Sequence, residues 1–183
     1  MRSEGLAKLV AVFALIFFVT TPLTPGDELP SKLLAHGKQE CVLAGINVIS
    51  STVEQAEASL GKPTSEEVTF PEQKGIAGER EYVWRKLNVV VTLKTEFIHD
   101  ARLKGGFNES PELVTVEGSD GAIGRTGRGL KLGDRLSEIE KIYGTRFVKK
   151  GKTIYIEWKS GTGLSVTTDD KGLINRIDLS APE

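Results

Sequence analysis

Two stretches of this chain align with each other without a gap. One begins at Ile46-Asn47-Val48-Ile49 and runs to Gly61; the other begins at Gly129-Leu130-Lys131-Leu132 and runs to Gly144. Few residues are identical, but the physical signals coincide. Each has a short apolar segment, then a polar residue able to cap a helix, then apolar residues at helical spacing, then glycine. Ser51 is the expected cap of the first helix, with Glu54 closing a capping box. Asp134 is the expected cap of the second, where its charge also suits the positive end of the helix dipole. Val53, Ala56 and Leu60 would share one helical face, as would Leu136, Ile139 and Tyr143. Gly61 and Gly144 stand where a helix ends on a left-handed residue. Helices this short are held by packing rather than by propensity.

Alternating segments follow each helix. Glu81–Arg85 and Leu87–Leu93 read as strands, with Tyr82 and Trp84 on one face of the first. A longer loop over Glu96–Pro111 would lead to a closing strand at Leu113–Val116. In the second stretch Ile154, Ile156 and Trp158 share a face, and Leu164 and Val166 share the next. Asp169-Asp170-Lys171-Gly172 is a hairpin signal before a last strand over Leu173–Leu179. The expected fold class is therefore α+β. It comprises two tandem units, each a short helix packed on an antiparallel sheet of about three to four strands. The units would cover residues 41–118 and 119–183. A single unit has a thin core, so the two are expected to pack together or to share a sheet.

The run Thr126-Gly127-Arg128-Gly129-Leu130-Lys131-Leu132-Gly133-Asp134, the helix after it, Tyr143-Gly144 and a Trp-bearing strand resemble the repeat of β-lactamase-inhibitor-protein-like folds. The SmpA/OmlA outer-membrane lipoproteins share that helix-plus-hairpin unit. The resemblance covers roughly residues 42–183 as two tandem units. It implies an envelope or extracellular protein that binds other proteins through aromatic residues on a sheet face. Tyr82, Trp84, Tyr155 and Trp158 occupy comparable strands. Trp84 and Trp158 fall on the apolar faces of theirs, where core packing is the stronger reading. Tyr155 falls opposite Ile154 and Ile156 and is the expected exposed aromatic.

The N-terminus directs the chain to a membrane or an export pathway. Arg2 and Lys8 precede an uninterrupted apolar run, Leu9–Val19, extended to Leu23. That length suits a signal-peptide core and falls short of a comfortable bilayer span. Residues 1–26 are read as a signal peptide or an N-terminal membrane anchor, and residues 27–40 as a linker. Cys41 is the one cysteine, so no intrachain disulfide can form. It lies far beyond the apolar run and after Lys38-Gln39-Glu40, the wrong setting for a lipid anchor.

Catalytic signals are sparse. The histidines, His36 and His99, have no partners at metal-ligand spacing, so no metal, cofactor or catalytic residue is assigned. His99 beside Asp100 is the one pair from which an enzyme using the 96–111 loop could be built. The glycine-rich stretch Gly118–Gly133 matches no phosphate-loop pattern, yet Arg125 and Arg128 within it could hold an anion. The net charge of −1 argues against nucleic acid. Charge divides along the chain. Residues 27–118 hold 10 Lys and Arg against 15 Asp and Glu, and residues 119–183 hold 12 against 9. These features point to an exported or envelope-associated, non-enzymatic protein-binding module. Its partner would be another envelope or extracellular protein, and its membrane contact would be confined to the N-terminal segment. A small extracytoplasmic enzyme and a membrane-tethered structural subunit are the alternatives.

Overall fold

A computed structural model describes residues 39–73, 76–104, 106–144, 147–157 and 162–181. The apolar N-terminal run, read as a signal peptide or anchor, most of the stretch read as a linker, and Trp158 lie outside the described residues.

A 3-10 turn at Gln39–Cys41 leads into a two-stranded ribbon, β1 (Val42–Leu43) and β2 (Ile46–Asn47). Ala44 and Gly45 close it with positive φ at both, the backbone that a two-residue hairpin loop demands. Helix α1 (Val53–Leu60) follows. The next strands are β3 (Ser65–Phe70), β4 (Gly78–Lys86), β5 (Val89–His99) and β6 (Phe107–Gly118). Helix α2 (Leu136–Tyr143) precedes β7 (Val148–Lys150), β8 (Thr153–Glu157), β9 (Gly163–Thr168) and β10 (Ile174–Ser180).

The eight strands from β3 to β10 form one antiparallel sheet in the order β3-β4-β5-β6-β10-β9-β8-β7. This corrects the expected α+β pair of helix-on-sheet units: the protein is mainly β, with two eight-residue helices against one large sheet. The reason lies at the centre. β6 and β10 would each have left a row of backbone groups unpaired at a sheet edge. Instead they pair with each other over Leu113–Glu117 and Arg176–Ser180.

One face of the sheet is dry. Trp84, Val91, Val116, Ile177, Val166 and Ile154 stand opposite one another across six strands, each fully buried. The ribbon and both helices cover this face, adding Leu43, Ile46, Ala56, Leu60, Ile139 and Tyr143 to one continuous core. Each such aliphatic side chain contributes about 1.5–3 kcal/mol when removed from water.

Local signals are shifted in detail. α1 is capped by Thr52, one residue past Ser51, in a reciprocal capping box with Gln55. α2 starts after Arg135 with no side-chain cap, while the Asp134 carboxylate accepts from the Lys131 amide at 3.1 Å. Gly61 and Gly144 do end the helices with positive φ. Glu96–Pro111 is not a long loop. Most of it belongs to β5 and β6, which pair as a hairpin from Val89↔Gly118 to His99↔Phe107. β3 is not among the expected strands, and Leu87, expected to begin a strand, is 85% exposed in a turn.

Candidate functional site

The other face of the sheet is open among the described residues. Its central row crosses all eight strands. Ser65, Val83, Thr92 and Thr115 occupy β3 to β6, and Asp178, Ser165, Tyr155 and Val148 continue over β10 to β7. Most of these are short and polar because alternate strand positions face opposite sides. Short side chains in the middle of the row make a trough between longer ones. Toward one end of the strands stand Glu81, Lys94 and Leu113; toward the other stand Arg85, Glu117 and Arg176.

The trough deepens into a hollow of about 360 Å³ around β10, β9 and β8, with Leu113, Tyr155, Ser165, Asp178 and Ser180 in its lining. Tyr155 is 42% exposed at its rim, and the Lys150 ammonium lies 5.8 Å from the ring centroid. On the floor, Thr115 donates to Asp178 at 2.7 Å and Arg176 Nε donates to the same carboxylate at 3.0 Å. Arg176 also lies 3.8 Å from Glu117. The acid is thus held in one place between two strands. The surface offers hydroxyls, one held carboxylate and an aromatic rim.

The structure separates the residues named from sequence. Tyr155 is on the open face, where its alternation with Ile154 and Ile156 put it. Tyr82 and Trp84 point to the opposite, covered side. Trp84 is fully buried and its indole N–H donates to the Gly61 carbonyl at 2.6 Å, tying the end of α1 to the sheet. Tyr82 is 4% exposed, and its hydroxyl donates to Glu109 at 3.1 Å and accepts from Arg80 at 3.1 Å. Burial pushes that phenol up to about 12. Neither can reach a partner without the core opening.

Arg125 and Arg128 do come together. They line a cavity of about 600 Å³ between the ribbon and the 122–129 segment. Arg128 is already engaged there, 3.5 Å from the buried Glu40 carboxylate and 5.2 Å over the Tyr143 ring. Arg125 is exposed and has no ion-pair partner among the described residues. His99 packs edge-on against Phe107 at 5.7 Å, and Asp100 turns its carboxylate to Arg102 at 2.7 Å. That neighbour and a backbone amide hold Asp100 below its ordinary value.

The floor residues Thr115, Ser165 and Asp178 are not among the residues expected from sequence. The signal was there: each interrupts a run of apolar residues at the alternate position, as in Leu164-Ser165-Val166 and Ile177-Asp178-Leu179.

No known family model matches the chain, and no curated protein matches it. Among solved structures, the chain is similar to a "putative beta-lactamase inhibitor protein" of Streptococcus mutans. Identity is 15%, coverage is 84% of this chain and 96% of that one, and the TM-score is 0.30. A likeness this loose fixes neither fold nor role.

Proposed function

We propose that this chain is a non-enzymatic protein-binding module that acts outside the cytoplasm and recognises its partner with the open face of the sheet. The observation that carries this reading is the face itself, eight strands wide, uncovered among the described residues, with Tyr155 at the rim of its hollow. The partner would be a protein loop or strand. An apolar side chain would enter between Leu113 and Tyr155, and backbone groups would meet Ser165 and Thr115. Export is supported by the uninterrupted apolar run Leu9–Val19. The resemblance seen in residues 126–144 to inhibitor-like and SmpA/OmlA-like repeats points the same way, with the two stretches 41–118 and 119–183 as its copies.

The enzyme reading draws no support from the hairpin that carries His99. Its carboxylate neighbour is committed to Arg102. The test is a photo-crosslinking residue at Ser165 in cells, with the mature mass measured in each cell fraction. A specific crosslinked protein, lost on Tyr155→Ala and Thr115→Lys in folded chains, is the expected result. Crosslinks unchanged by both substitutions would remove the open face from the reading. A chain found only in the cytoplasm at full mass would remove export.

A further inference from the structure

The two edges of the sheet carry opposite charges. β3 has no buried residue and bears Glu66 and Glu67; β7 has none either and bears Lys149 and Lys150. Register places one acid and one base on each side of the sheet. Glu66 stands opposite Tyr82 and Lys149 opposite Ile154, both toward the covered side. Glu67 stands opposite Glu81 and Lys150 opposite Thr153, both toward the open side. Glu66 has a distant contact with Arg80 at 3.6 Å, and Lys150 lies by Tyr155. Glu67 and Lys149 have no ion-pair partner among the described residues.

Direction matters as much as charge. The sheet is antiparallel throughout and has an even number of strands, so β3 and β7 run in opposite senses. A second copy displaced along the sheet would therefore set its β3 antiparallel to β7, continuing the pattern of every internal pair. With Glu67 opposite Lys150, Val68 meets Lys149 and Glu66 lies diagonal to it. Directly opposed and diagonal pairs are both within reach in an antiparallel ladder. The register shift between Val68 and Phe70 limits the flat part of β3 to Ser65–Val68, a length that matches the short β7. Pairing like edges would instead set Glu against Glu or Lys against Lys, which is destabilising.

We infer that copies of this chain associate head to tail, the acidic β3 edge of one against the basic β7 edge of the next. The charge division along the sequence, acidic over 27–118 and basic over 119–183, acts in the same direction. A heterologous contact of this kind closes into a ring or extends as a filament. Only three residues of β7 take part, so the association is weak and depends on concentration. It concerns the strand edges rather than the open face, and the two surfaces meet at Lys150, which lies by Tyr155.

The test uses full-length chains carrying Glu67→Cys or Lys150→Cys, one of them mass-tagged, mixed and mildly oxidised; Cys41 is buried and does not compete. The expected result is a Glu67→Cys/Lys150→Cys crosslink several times more abundant than either homodimer, and suppressed at about 0.5 M salt, where charges are screened within a few ångströms. Sedimentation of cysteine-unaltered chains supplies the second arm. Lys149→Glu with Lys150→Glu should abolish association, and adding Glu66→Lys with Glu67→Lys to the same chain should restore it. Homodimers as abundant as the mixed crosslink, or association indifferent to charge reversal, would overturn the inference. So would a chain that stays monomeric at low salt and high concentration. An edge occupied instead by another segment of the chain would appear as an intramolecular crosslink and would equally overturn it.

Discussion

Thr115 donates its hydroxyl to the Asp178 carboxylate at 2.7 Å, across the seam where β6 meets β10. These residues are 63 positions apart in sequence and adjacent in space. The seam joins the strands that follow α1 to those that follow α2, so a polar contact there reports on the continuity of the whole sheet. Asp178→Ala should lower unfolding free energy by about 1–2 kcal/mol, since Thr115 and Arg176 both lose a partner. A double-mutant cycle with Thr115→Val, read by urea denaturation, should show non-additivity of about 0.5 kcal/mol or more. Additive losses would mean the bond does not hold the seam.

Gly118 ends β6 with φ of +135°, and a Cβ there would sit 2.2 Å from the Asn88 carbonyl oxygen. Neither the backbone conformation nor the space suits an L side chain. Gly118→Ala should cost about 2–4 kcal/mol, from the strained φ together with the clash. Gly172→Ala, at φ of +76° with nothing within 4 Å, should cost only the conformational part, about 1–2 kcal/mol. Thermal melts of the two variants check the order.

Tyr82 and Tyr143 are each pushed up to about 12, in both cases chiefly by burial. A phenol raised in the folded state keeps its proton at pH values where the unfolded chain has released it. Stability from these groups is therefore full below about pH 10 and is lost as pH rises toward 12. Tyr143 donates to Thr126 Oγ1 at 2.9 Å. Tyr143→Phe should cost about 1 kcal/mol near neutrality. It should also flatten the alkaline fall in denaturation midpoint. An unchanged alkaline slope would place the titration elsewhere.

Cys41 is fully buried, and burial, with Glu40 beside it, pushes its thiol up to about 11. Because the thiolate is the reactive species, alkylation at pH 8 should be slow in the folded chain and rapid in denaturant. Mass spectrometry after timed exposure to iodoacetamide gives the ratio. Equal rates would show that the ribbon carrying Cys41 opens readily.

Helix capping separates what could be read from sequence from what could not. Both helices were legible from Val53, Ala56 and Leu60 and from Leu136, Ile139 and Tyr143, because helical spacing is a local property. The cap was misplaced by one residue because Ser51 and Thr52 have equivalent chemistry. Only the folded chain shows Thr52 bonded to the Gln55 amide, while Ser51 accepts from the Asn47 amide at 2.9 Å. Thr52→Ala should cost about 1 kcal/mol, which circular dichroism melts can measure. A sheet shared by the two stretches was one of two expectations, but which strands would join it was not legible. Strand alternation gives faces but not neighbours, and the β6–β10 pairing joins residues too far apart for any local signal. Tyr155 was found because its strand alternates cleanly. Asp178 also alternates cleanly between Ile177 and Leu179; what alternation does not give is its partner Thr115, 63 positions away across the seam.

β10 follows every other described strand in the chain, yet it lies between β6 and β9 in the middle of the sheet. Synthesis runs from the N-terminus, so β3 to β6 can assemble early and must then wait with one flank of β6 open. β7 to β9 have no flank to join until β10 leaves the ribosome. The chain thus passes through a period when half its sheet exists and cannot close. A central strand that arrives last makes completion of the sheet depend on the C-terminal end of the described chain, so the two halves become one layer only when β10 is in place.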